Sequence, residues 1–512
     1  MNSPASRYLQ CSVFLFFTFF FFLRVEHALV RAQPGGSALY FSSYYPIYNL
    51  IHQMGYAGFI SVDCGLPDES DYRDDATGIT YVPDTPYVDA GVTEIATAEG
   101  FPRRYRTLRV FPQGGRNCYN LRPVHLGGKY LVRAGFFYGD YDGLQSPPEF
   151  ELHIGVNVRL TIRLSLNDSS LSEVIAAAQG HTIWVCLVNT NKGTPLISTI
   201  EVRPLPNLLY PHANASQSLH LQRRSNFGTE ALLRYPEDPY DRIWLGLAGS
   251  FPVINTTSPV AATSNDSFQV PSLVLRTAIS VPNVSYSLIV RAAVGDPDDI
   301  VYAVLHFAEL QNMTRPNQTR IMDLFGEGRE EGILRNYSPP FLEADHVRVT
   351  DAAIGQTGIY NISLIPSIAS TLPPMINAME SFLVRKVDEL PTDLGDVRAI
   401  QAIRAAYKLK RNWQGDPCVP IDYVWDGLRC DYYDGLKPPR IVSLDMSNNN
   451  LSGSFPDFLA ELPALKLLNL VSNKITLPSR GLCTKLMNRR LSLRFVLISF
   501  PRNRSGPYFS FE

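Results

Sequence analysis

After a short run near its start, the sequence has no stretch of about 20 consecutive apolar residues, so nothing downstream is expected to cross a bilayer as a helix. Excess charge is missing too. Its 46 Lys and Arg face 48 Asp and Glu, and charged residues make up only 18%, which leaves no electrostatic case for nucleic acid or an anionic membrane. Helical periodicity is scarce between residues 59 and 385. No G-x-S-x-G, H-E-x-x-H, C-x-x-C or P-loop occurs, and the kinase Gly-rich loop, H-R-D and D-F-G are absent. The nine histidines are scattered. The chain is therefore expected to be no enzyme and to hold no metal or cofactor.

At 512 residues the chain exceeds the size at which one core stops growing, so two or more domains are expected. Arg7 precedes an apolar run of eleven residues, Val13 to Leu23, too short for an ordinary span and suited to a secretory leader. Val30 and Ala32 supply small residues at a cleavage site, which gives a signal peptide over 1–32, with an uncleaved anchor as the other reading. Eleven N-x-S/T sequons follow, at Asn167, Asn214, Asn255, Asn265, Asn283, Asn312, Asn317, Asn336, Asn361, Asn450 and Asn503. Behind a leader they predict a glycosylated, secreted or cell-surface chain in which disulfides are permitted.

From Phe59 to about Arg385 short alternating segments broken by Gly, Pro, Asn and Asp predict all-β sandwich modules. In Tyr130 to Ala134 and Phe150 to Gly155 the side chains are read as alternating between a core face and a wet face. This pair of segments is echoed about 172 residues later by YAVLHFAELQ and IMDLFG, which predicts two lobes, 58–205 and 225–385, joined by a turn-rich connector over 206–224. Val397, Ile400, Ile403 and Tyr407 then recur at helical spacing behind Thr392, read as the N-cap, opening a segment over 390–440. Over 441–478, Ile441, Leu444, Met446, Asn449 and Leu451 are matched with period 24 by Leu465, Leu468, Leu470, Asn473 and Ile475. This is the leucine-rich-repeat pattern.

GFISVDCG at 58–65, RTLRVFPQGGRNCYNL at 106–121, YDGL at 141–144, VCLVNT at 185–190, WQGDPCVP at 413–420 and LSGSFP at 451–456 resemble, in order, the ectodomains of plant malectin-like leucine-rich-repeat receptor kinases. The resemblance implies a mainly β fold: two tandem malectin-like β-sandwich lobes, then a short helix and a disulfide-capped leucine-rich repeat. A membrane span and a kinase would follow in that family. Residues 33–57 depart from the pattern and are read as an atypical, disordered insert. The tail 479–512 departs as well and suggests a truncated or alternatively spliced receptor.

Cys418 and Cys430, twelve positions apart, are expected to pair, a constraint of about 3 kcal/mol in the chain-entropy model. Among Cys64, Cys118 and Cys186 one pair at most can form, and Cys186, in the apolar WVCLV, is read as the buried free thiol. For ligand binding, GFFYGDYDGL offers Phe137, Tyr138, Asp140, Tyr141 and Asp142, aromatic faces and carboxylates suited to a sugar, and it resembles the malectin segment that contacts disaccharide. The competing reading makes these residues core and turn. Arg103, Arg104, Arg106, Arg109, Arg116, Arg122, Lys129 and Arg133 fall in one run without an acid. They suit a polyanion or an acidic peptide, or else pairing with Asp68, Glu69, Asp71, Asp74 and Asp75, and the paired reading is preferred. The expected function is extracellular recognition of carbohydrate, cell-wall fragment, peptide or a partner receptor. A soluble decoy or co-receptor acting through the repeat, or a truncated product without function, are the alternatives.

Overall fold

The computed structural model describes residues 58–476 and 492–494, apart from 69, 98, 264–265, 314–317, 329–331, 410–412, 433–436 and 455–461. The leader 1–32, the insert 33–57 and the tail other than 492–494 lie outside the described residues, as do Cys11, Cys483 and the sequons at Asn265, Asn317 and Asn503.

The principal strands are β1 (Ile60–Asp63), β2 (Arg116–Leu121), β3 (Lys129–Phe137), β4 (Glu149–Ile154), β5 (Val158–Arg163) and β6 (Ser169–Ala177). They continue as β7 (Ile183–Lys192), β8 (Thr199–Leu205), β9 (Gln217–Phe227), β10 (Ile300–Phe307), β11 (Asp345–Ala353) and β12 (Ala378–Lys386). Among the described residues one helix of length follows, α1 (Leu394–Tyr407). The chain is mainly β, and its centre is an eleven-stranded sheet whose eight principal strands run β1-β8-β3-β6-β9-β12-β10-β11, antiparallel at each of these pairings. A four-stranded sheet β2-β7-β4-β5 packs on one half of it. The strands Leu288–Val294, Ile359–Pro366, Met322–Gly326 and Leu334–Tyr337 form a second four-stranded sheet, whose residues share a core with the other half.

Alternation explains the first core. Val132, Ala134 and Phe136 of β3 and Ile200 and Val202 of β8 point to the same side and meet Phe150, Leu152, Val185 and Leu187. The two echoed sequence segments take matching places, β3 and β10 in the large sheet, β4 and Met322–Gly326 in the small sheets. The connector drawn over 206–224 is too long. Residues 217–224 belong to β9, which hydrogen-bonds both β6 and β12 and so makes the sheet continuous. Their mixed polar text misled because this stretch is only partly buried, with Ser218, Leu219 and Arg224 inside, Gln222 half-buried and Arg223 exposed.

Gly65 sits at φ +78°, and a Cβ there would lie 2.4 Å from the Leu108 carbonyl oxygen. Backbone cannot yield as a flexible side chain does. Gly65→Ala is expected to destabilise by roughly 3 kcal/mol, combining positive-φ strain with overpacking, and a shift below about 1 kcal/mol in chemical unfolding would refute this.

α1 is capped by Asp393, not Thr392: the Asp393 carboxylate accepts from the Gly395 and Asp396 N–H groups. Thr392 instead donates from its hydroxyl to the buried Asp416 carboxylate. The period-24 columns lie side by side, Ser443 to Asp445 pairing in parallel with Leu467 to Asn469. Asn473 donates to the Met446 and Leu470 carbonyls and accepts from the Asn449 and Leu451 N–H groups.

Candidate ligand-binding surface

β3 ends at Phe137, and the chain turns through Gly139 (φ +52°) and Asp140 (φ +49°) before β4. Phe137 and Tyr138 are 2% and 1% exposed, packed with Ala96, Tyr105, Leu108, Val110 and Leu196. Their ring faces are taken: Phe101 lies 4.4 Å from Phe137 and Tyr141 meets Tyr138 edge to face at 5.6 Å. The Tyr138 hydroxyl donates to the Asp142 carboxylate. Asp140 accepts the Gln145 N–H at 2.8 Å and Asp142 the Leu144 N–H at 3.1 Å, so both carboxylates also brace the loop. Tyr141 and Asp140 are half-buried, while Asp142, Gly143 and Leu144 are exposed. The five residues are thus together, with Phe137 and Tyr138 as the support and Tyr141, Asp140 and Asp142 as the rim.

The basic run is largely consumed internally. Arg109 is paired with Asp84, an acid just beyond the upstream cluster, and Arg104 lies 3.9 Å from Asp74 within it. Arg103 lies over the Tyr72 ring, and Lys129 donates to the Tyr210 carbonyl at 2.8 Å.

Arg133 belongs to a larger array that sequence reading missed. It donates to Glu173 at 2.7 Å and pairs with Glu201. Arg203 and Arg234 both reach Asp241 at 2.8 Å, Arg224 bonds Glu173 at 2.8 Å and Glu380, and Arg242 bonds Asp238 at 2.7 Å. These side chains are at most 8% exposed. The strand face read as wet is therefore dry, roofed by the segment that carries Arg234, Asp238, Asp241, Arg242 and Trp244. Burial opposes ionisation of Glu380, yet Arg224, His306 and Arg242 hold its carboxyl well below the usual range; Arg234, Arg133 and Arg203 do the same for Glu201 against burial. The available signal was arginine and glutamate at alternate positions on neighbouring strands, as in IEVR at 200–203.

Cys118 and Cys186, directly opposed on β2 and β7, form a disulfide, and Cys418 pairs with Cys430. Cys64, not Cys186, is the buried free thiol; desolvation pushes its pKa well up. Burial of Val185 to Val188 did not discriminate, because a cross-strand disulfide is as apolar as a thiol.

Residues 62–384, more than half of the chain, match the family model of the Malectin-like domain, and the chain belongs to that family. It is 38% identical over 418 residues to a probable leucine-rich-repeat receptor-like serine/threonine-protein kinase of Arabidopsis thaliana, covering 80% of this chain and 48% of the relative. The chain spans about half the length of the curated relatives it matches. Among solved structures it resembles the ANX2 ectodomain from Arabidopsis thaliana, with TM-score 0.54 at 19% identity over 64% of this chain and 97% of that one. It also resembles a chain in the structure of the plant peptide RALF23 in complex with FER and LLG2, with TM-score 0.51 at 18% identity over 65% and 99%. These likenesses show a malectin-like ectodomain fold, and the matched region is that domain and not a kinase domain. Among the described residues no helix is long and apolar enough to cross a membrane.

Proposed function

We propose that this chain is an extracellular recognition module of receptor-kinase type, secreted or held at the cell surface, which binds a carbohydrate or cell-wall fragment, or a peptide or protein partner, and catalyses nothing itself. The match of residues 62–384 to the Malectin-like domain carries this reading. Two tandem lobes, 58–205 and 225–385, and leucine-rich repeats over 441–478 belong to the same proposal, as does the leader 1–32. The sequons at Asn167, Asn214, Asn255, Asn283, Asn312, Asn336 and Asn450 are exposed and are proposed glycan sites, with Asn361 half-buried and its amide donating to Glu327 at 3.0 Å.

The sugar site proposed is the loop after β3, with Tyr141 as the reachable ring and Asp140 and Asp142 as hydroxyl acceptors. A glycan array probed with the secreted chain tests it. Binding to a glycan is expected, and Tyr141→Ala should weaken it about fivefold, since one stacked ring contributes on the order of 1 kcal/mol. Silence toward every neutral and acidic glycan would remove the carbohydrate reading. The second reading is protein contact through the repeat, as a co-receptor or decoy. It draws support from the fold shared with a chain solved in the RALF23, FER and LLG2 complex.

A further inference from the structure

The outer face of the β2-β7-β4-β5 sheet is only partly roofed by the segment after α1. The Cys118 N–H donates to the Gln414 side chain, and the Tyr423 ring meets His153 and lies 5.2 Å from the Arg116 guanidinium. One step along the same strands, the opposed pair Asn120 and Trp184 stays half-exposed. Trp184 and Gln401 of α1 line two hollows. The first is a cavity of about 160 Å³ walled by Ile154, Val156, Val158, Leu394 and Val397, with Asn214 also in its lining, so it is open to a ligand only where that sequon carries no glycan. The second is a groove of about 490 Å³ with Tyr87, Asn120 and Lys408, which adjoins a hollow of about 570 Å³ at Asp89, Leu409 and Gln414.

The charge of this cleft is one-sided. Asp89, the carboxylate of the groove, is taken by Arg404 and by the Gln414 amide, and Asp416 in the cavity is taken by the Thr392 hydroxyl and three backbone N–H groups. Arg122, Arg398 and Lys408 are exposed and form no ion pair among the described residues. Asn120 Oδ1 is sealed from water and accepts no hydrogen bond there.

We propose that this cleft is a second binding site, for an extended acidic peptide. An aliphatic or aromatic side chain fills the cavity, and carboxylates meet Arg122 and Lys408. The aliphatic part of the cavity wall favours a peptide side chain over a polysaccharide, whose hydroxyls would lose their hydrogen bonds against it, while Asn157, Gln179 and Ser218 line the remainder. The site lies at the Ile154 end of β4, whereas the loop of the sugar reading lies at the Glu149 end, and neither depends on the other.

The test is a peptide array probed with the secreted chain. Each acidic peptide carrying one Leu or Phe is printed beside its Asn and Gln counterpart and beside oligogalacturonate. Acidic members are expected to bind about tenfold tighter than their amide counterparts, and Arg122→Glu with Lys408→Glu should abolish that preference. Val397→Trp, which plugs the cavity, should weaken binding by a similar factor. The charge reversals sit on the surface, so an unchanged unfolding midpoint separates lost binding from lost fold. The proposal is overturned by equal binding of the amide counterparts, by no peptide binding, by indifference to the double reversal, or by oligogalacturonate binding in place of the peptides. Because the two sites lie at opposite ends of β4, loss of glycan binding at the loop and loss of peptide binding in the cleft are separate results.

Discussion

Arg224→Met is expected to destabilise the protein by about 3–5 kcal/mol, the cost of leaving buried carboxylates without their partner. Arg224 is fully buried and donates to Glu380 and to Glu173 at 2.8 Å, the first on β12 and the second on β6. Without it, Glu380 keeps the Tyr210 hydroxyl at 2.7 Å and His306, and Glu173 keeps Arg133. Removing the acid along with the base should recover part of the loss, so Arg224→Met with Glu380→Gln is expected to unfold later than Arg224→Met alone. Chemical unfolding of both variants checks this, and a single variant within about 1 kcal/mol of the parent would show that the array is not what holds β6, β9 and β12 together. Because β9 bonds both neighbours, both halves of the sheet are expected to be lost in one transition.

The array also fixes a pH window. Glu380, Glu201 and Asp241 are held below their ordinary values by arginines despite burial, and Asp266, with the His346 bond opposing its desolvation, falls to about 2. A carboxyl with a depressed folded pKa contributes stability above its unfolded pKa and loses it as pH falls through the folded value. The loss attributable to these groups therefore begins near pH 4.5 and runs to about pH 2 and below, leaving them ionised in a mildly acidic medium.

Strand alternation was legible wherever one face is purely apolar, as in Val132, Ala134 and Phe136, and so was the period that aligns Leu444 with Leu468. It failed where charges face charges. Arg133 read as solvent-facing because a single strand does not reveal that its neighbours carry the opposite sign, as Glu173 and Glu201 do, and that a distant segment covers them. The same limit hid the role of Thr392, whose partner Asp416 lies 24 residues on. In the loop after β3 the residue types were visible, but not that Phe101 and Tyr105 cover Phe137. The cleft beside Trp184 was invisible for a similar reason, since it exists only where Gln401 of α1 and the strand residues Asn120 and Trp184 line one groove.

Replacing both Cys118 and Cys186 by Ser should lower stability by about 4 kcal/mol. The bridge closes a loop across a separation of 68, and the constraint on the unfolded chain grows with the logarithm of loop length. The partner residues are directly opposed on β2 and β7, so the change also removes a cross-strand contact at the face on which Gln414 docks. Losing Cys418 and Cys430, separated by 12, should cost about 3 kcal/mol and act on another body, the cluster that contains Trp413, Trp425 and the α1 residues Ile400 and Ile403. The two variants are therefore expected to differ in kind. The first should lower the unfolding midpoint of the malectin-like region, and the second should speed amide exchange in α1 and the strands that follow before that region opens. Cys64 supplies an internal probe: it is buried and its thiol is pushed well up, so its alkylation should track opening of the first core. If the Cys118 and Cys186 variant leaves both the midpoint and the Cys64 labelling rate unchanged, the bridge is not a stabilising element of this fold.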